Sequence, residues 1–107
     1  MRRAFLAIIA VLAAASAVSA QDGTGDKRGE ALVTRHCSGC HAIGRSGASP
    51  HPEAPPFRIL SGRYPIEALE EALGEGMVSG HPDMPKFVFS GGDVGAIVTY
   101  LNSIQER

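Results

Sequence analysis

The stretch Cys37-Ser38-Gly39-Cys40-His41 constrains this chain more than any other. It holds both cysteines of the protein and a histidine directly after the second. Two thiols three residues apart on one helical turn lie on the same side of the backbone. Cys-x-x-Cys-His is the spacing of covalent haem attachment. Cys37 and Cys40 can add to the two vinyl groups of a haem and leave two thioether links. His41 is then carried beneath the macrocycle, where its imidazole can bond the iron axially. The rest of the chain reads as a wrapping for that group.

A cysteine pair has other uses. Two cysteines in an exported protein can form a disulfide. They can also act as a redox dithiol of thioredoxin type, but that fold needs strands alternating with helices. No strand-like alternation occurs near residues 30–45. A structural zinc site would need two further ligands at suitable spacing. Only His36, His51 and His81 remain, and the sequence pairs none of them. The motif context favours haem.

With 107 residues the chain allows one small domain. Its start carries a tripartite export pattern: basic Met1-Arg2-Arg3, an apolar run from Ala4 to Ala15, and small residues in Val18-Ser19-Ala20. This predicts a secretory signal peptide over residues 1–20, cleaved before Gln21. The rival is an uncleaved anchor, but the run is shorter than the roughly 20 residues that span a bilayer. Removing Arg2 and Arg3 leaves eight basic residues against eleven acidic ones, a formal charge of −3. That balance gives no support to nucleic-acid binding, which needs a basic patch. No second long apolar stretch follows, so no membrane insertion is expected of the mature chain. A domain this small buries a limited core and needs a staple. A covalently held apolar macrocycle would supply it, so the chain without haem should fold poorly.

Residues 21–25 are polar and Gly-containing and are expected to form a mobile leader. Asp26 is a reasonable N-cap for a helix through about His36, with Gly29, Leu32, Val33 and Cys37 on one face. A helical glycine costs roughly 1 kcal/mol relative to alanine. Gly29 therefore implies either close approach of another backbone or a place in the first turn, where the cost is smaller. From Ala42 to Pro56, glycines and prolines exclude regular helix and central strand. A loop this long in a small domain needs a job, and covering one side of a haem is such a job. Phe57, Ile59 and Leu60 form a short apolar turn ended by Gly62. Tyr64-Pro65 opens a second helix with the stripe Ile66, Leu69, Ala72 and Leu73, closed by Gly74 or Gly76. Glu67, Glu70, Glu71 and Glu75 form its solvated face. Residues 76–92 are again irregular, a strap able to point one side chain inward. Ser90 or Asp93 caps the last helix, whose apolar positions are Val94, Ile97, Val98, Leu101 and Ile104.

The opposite axial position decides what such a haem does. Methionine ligation raises the reduction potential and closes the iron to exogenous ligands, which suits electron transfer. Met84, between the loop prolines Pro82 and Pro85, is the first choice. Met77 directly follows the helix cap and reads as soft core filler. His81 would give bis-histidine ligation and a lower potential, and an empty position would favour gas binding or catalysis. His36 and His51 are expected to face solvent.

Gly29 with Cys37-Ser38-Gly39-Cys40-His41, Met84-Pro85, and Ile97-Val98-Thr99-Tyr100-Leu101 in this order resemble the class I c-type cytochromes, in particular the short bacterial periplasmic ones. The likeness covers about residues 26–105. It implies an all-α class I cytochrome c fold, with three main helices and long loops wrapped around one covalent haem c, over 26–107. It also implies that the first and last helices cross near a right angle, Gly29 meeting Tyr100. Pro55 would offer its carbonyl to the second ring nitrogen of His41, Phe57 would pack on the haem, and Arg63 and Tyr64 would serve a propionate. The lysine ring around the haem edge of many mitochondrial relatives is sparse here, with only His36, Arg45 and Lys86 in its place.

The expectation is a monomeric, periplasmic single-electron carrier, not an enzyme, passing electrons between donor and acceptor proteins of a respiratory or dehydrogenase chain. Two alternatives stand beside it. One is a haem-based sensor or small peroxidase with an open sixth position. The other is a fixed cytochrome subunit of a dehydrogenase or oxidase complex.

Overall fold

A computed structural model describes residues 22–76 and 80–107, together with Ala10. The signal segment (Ala10 aside), Gln21 and Met77-Val78-Ser79 lie outside the described residues. The fold is all-α, and no strand occurs among the described residues. Helix α1 spans Asp22–His36, α2 Leu69–Glu75 and α3 Gly91–Ser103. Two 3₁₀ segments, Phe57–Gly62 and Ile66–Ala68, lead into α2.

Helix α1 starts at Asp22, earlier than the expected cap at Asp26, so residues 22–25 of the expected leader are helical. No proline stops the backbone before Asp26. The earlier start decides between the two readings of Gly29. It is the eighth of fifteen residues, deep inside the helix rather than in its first turn. A Cβ at Gly29 would lie 2.0 Å from the Ala96 carbonyl oxygen and 2.7 Å from Tyr100 Cβ. The glycine is there because α3 runs against the backbone of α1.

Helix α3 presents Val94, Ile97, Val98 and Leu101 to the core at helical spacing, joined by Tyr100 and then Ile104 just past its end. Ser90 caps it, its hydroxyl accepting from Asp93 N at 3.3 Å. From α1 the core receives Val33, and from the 3₁₀ segments Phe57, Leu60 and Ile66. The α1–α3 junction is closed at its edges by polar bonds. Tyr100 Oη donates to the Ile43 carbonyl at 2.6 Å, and Arg28 pairs with Asp93. Burial, with Glu30 nearby, holds the Tyr100 hydroxyl above its ordinary pKa.

Gly76 ends α2 with φ +104°, a conformation open to glycine, and the Lys86 stem lies over it. The C-terminal segment is pinned by a buried side chain that the sequence did not single out. Gln105 Nε2 donates to the Phe57 and Leu101 carbonyls at 2.6 and 2.8 Å. Its Oε1 accepts from Ser61 N at 2.8 Å. All of its main hydrogen-bonding groups are used, so its burial is compensated.

Candidate haem-binding site

The Cys-x-x-Cys-His turn grows directly out of α1. Cys37 N donates to the Val33 carbonyl at 2.8 Å, and His41 N donates to the Cys37 carbonyl at 2.9 Å. This keeps both cysteines on one turn, half-buried and not joined to each other. Burial pushes the Cys37 thiol up to about 11. A redox dithiol needs the opposite shift, toward thiolate.

The loop after His41 is tied back onto this turn. His51 N donates to the Cys40 carbonyl at 3.0 Å, Ala42 N to Ser49 Oγ at 3.0 Å, and Phe57 N to the Ala42 carbonyl at 2.9 Å. The closure brings the Pro55 carbonyl 2.8 Å from His41 Nδ1. A carbonyl only accepts, so Nδ1 carries the proton and the Nε2 lone pair is left for a metal. Phe57 packs against the His41 ring with centroids 4.5 Å apart.

Cys37, Cys40, His41, Pro55 and Phe57 share one cavity with Arg63, Tyr64 and Met84, of about 610 Å³. Its deep wall is apolar, from Val33, Leu60, Leu69, Ile97 and Leu101. Arg63 and Tyr64 are exposed where they line it, while Met84 is half-buried. A bulky apolar group with two thiol-reactive positions and one metal fits this donor set. Two thiols, an imidazole with a free lone pair and a thioether sulfur line a predominantly apolar wall, with an arginine available for an acidic substituent.

The expectations for the other histidines are corrected. His36 is half-buried and meets the stacked pair Phe87 and Phe89 edge-on, with ring centroids 5.6 and 5.4 Å away. His51 and His81, unpaired in sequence, meet with centroids 5.2 Å apart. His51 Nε2 lies 3.2 Å from Asp83 Oδ2, and His81 Nε2 bonds Glu53. The signal for this meeting was present: His51-Pro52-Glu53 and His81-Pro82-Asp83 are the same His-Pro-acid triplet, once in each loop. Met77 lies outside the described residues.

An all-α fold carrying a Cys-x-x-Cys-His turn on the lip of an apolar cavity defines a c-type cytochrome domain. The chain belongs to the family described as cytochrome c oxidase, cbb3-type, subunit III, which it matches over residues 25–101. That match supports an electron-transfer role through haem c in general. No curated protein matched the chain, and no solved structure did. Among the described residues no helix is long and apolar enough to cross a membrane.

Proposed function

We propose that this protein is a periplasmic single-electron carrier holding one haem c between His41 and Met84. Cys37 and Cys40 anchor the group covalently. Haem c would supply the one-electron couple, and the residues of the chain tune and enclose it. Pro55 orients His41 and, by accepting a hydrogen bond from Nδ1–H, strengthens its Nε2 as a donor. Met84 would supply a thioether sulfur as the second ligand, which raises the potential and excludes small ligands. Phe57 and the apolar wall would keep water from the bound group, and Arg63 and Tyr64 would serve its acidic substituents. We read it as a carrier and not an enzyme, since the sequence shows no serine or cysteine nucleophile with a base and no Gly-rich phosphate loop. Its partners are a donor and an acceptor protein, which it meets as a monomer after export and removal of residues 1–20.

The observation that carries this reading is the His41 Nδ1 to Pro55 carbonyl bond at 2.8 Å. It leaves a bare Nε2 in a cavity that both cysteines and Met84 also line. Visible spectroscopy of the purified haem protein is the test. A weak far-red ferric band and no carbon monoxide shift in the reduced form are expected; a strong carbon monoxide shift rejects methionine ligation and favours a sensor or peroxidase.

A second reading has one observation behind it, the description of the matched family as an oxidase subunit. In that reading the domain stays within a respiratory complex rather than diffusing. Size-exclusion chromatography of a native extract separates the two: a free carrier elutes near 10 kDa for a domain of this length, given the 11.2 kDa of the whole chain.

A further inference from the structure

The two loops that enclose the cavity are joined by a reciprocal set of four side chains. In each His-Pro-acid triplet the histidine Nδ1 accepts from the backbone N–H two residues on: Glu53 N to His51 at 3.1 Å, Asp83 N to His81 at 3.2 Å. Each bond turns the Nε2 edge outward from its own triplet and toward the acid of the other. The donor atoms of His51, His81 and Asp83 lie within 4.8 Å of one another. The Glu53 carboxylate bonds His81 Nε2 and lies outside that group of three.

We propose that His51, His81 and Asp83, with Glu53 as fourth donor, form a binding site for a divalent transition-metal ion of the zinc type. Two imidazoles and two carboxylates are a donor set suited to such ions, and the two negative charges match a dication. Zinc bonds of about 2.0–2.1 Å place tetrahedral donors roughly 3.3 Å apart. The His51, His81 and Asp83 donors, within 4.8 Å of one another, therefore close by side-chain rotation, and Glu53 swings in from His81. The rim leaves room for them: the Asp83 and Glu53 side chains are each 67% exposed, against 25% and 35% for His51 and His81. An ion can reach the cluster from solvent without opening the core.

On binding, the ion takes the place of the proton on each Nε2. That proton moves to Nδ1, which then no longer accepts, so the bonds from Glu53 N and Asp83 N are given up as each ring turns onto the ion. No covalent bond or electron transfer is involved. The ion would fasten the loop carrying Pro55 to the strap carrying Met84, so its presence should also slow any displacement of Met84. The metal-binding claim itself does not depend on how the haem iron is ligated.

The test is calorimetric titration of the haem-loaded protein with zinc chloride. One equivalent should bind saturably, and His51→Asn or His81→Asn should each weaken it by at least about tenfold, the scale seen even for outer-shell partners of metals. Glu53→Gln should weaken it less than Asp83→Asn. The haem absorption spectrum of each variant checks that the fold survives. Should a histidine variant fail to fold, copper(II) bound to the unmodified protein gives the answer by electron paramagnetic resonance. Hyperfine coupling from two imidazole nitrogens supports the site. Absence of saturable zinc binding, binding undiminished in the double histidine variant, or copper without those nitrogens overturns it.

Discussion

The junction of α1 and α3 and the meeting of the two cavity loops are both closures between distant parts of the chain, but they are made of different things. At Gly29 one backbone lies against another, with the Ala96 carbonyl where a side chain would otherwise begin. Between residues 51–53 and 81–83 side chains meet at the cavity rim, the two imidazoles edge to face and each Nε2 on an exposed carboxylate. The first contact is dry, short-range and intolerant of added atoms. The second exchanges readily with water and contributes little stability by itself. A rigid helical frame therefore carries loops that can differ in detail, and the chemistry sits on the loops.

The contrast can be broken most severely at the haem anchor, which both regions share. Cys37→Ala with Cys40→Ala is expected to abolish covalent haem retention and to cost most of the folding stability, on the order of 5–15 kcal/mol for a domain. Far-UV circular dichroism checks it, and a fully native helical spectrum without haem would contradict the staple argument.

Next comes the helix junction. Gly29→Ala places a methyl inside a backbone carbonyl's radius, and overpacking of this kind costs about 1–3 kcal/mol or more. Denaturant titration of the haem-loaded variant measures it. The same change at Gly95, where a Cβ would have nothing within 4 Å, should instead stabilise by about 0.5–1 kcal/mol. Opposite signs for one substitution in two helices would sharpen the claim that contact, not propensity, places Gly29.

Gln105→Ala falls between them. It strands the Phe57 carbonyl and Ser61 N–H beside the core, at a cost of about 1–3 kcal/mol. The smallest stability effect is expected at the loop contact: His81→Asn should change the unfolding free energy by no more than about 1 kcal/mol in metal-free buffer.

These differences also explain how far the fold could be read from the chain. Helical spacing in Val94, Ile97, Val98 and Leu101 anticipated α3 because one face of a helix meets one core. Gly62 and Gly76 likewise marked ends that the structure uses. The start of α1 was misplaced because helix ends are weakly encoded where no proline intervenes. Gln105 was invisible because its three bonds reach Phe57, Ser61 and Leu101, and only tertiary structure brings the first two to it. The anchor Cys37, Cys40 and His41 was legible because covalent chemistry fixes its spacing. The His51–His81 meeting had a signal in the repeated His-Pro-acid triplet, but two loops carry no periodicity to say that the two copies come together.

The central claim is that His41 and Met84 together close the iron and make the protein a carrier. The direct measurement is the carbon monoxide difference spectrum of the reduced haem protein, taken beside Met84→Ala. The account predicts no shift for the native chain, with its far-red ferric band present, and a full shift with loss of that band in Met84→Ala. A shift of equal size in both would contradict it.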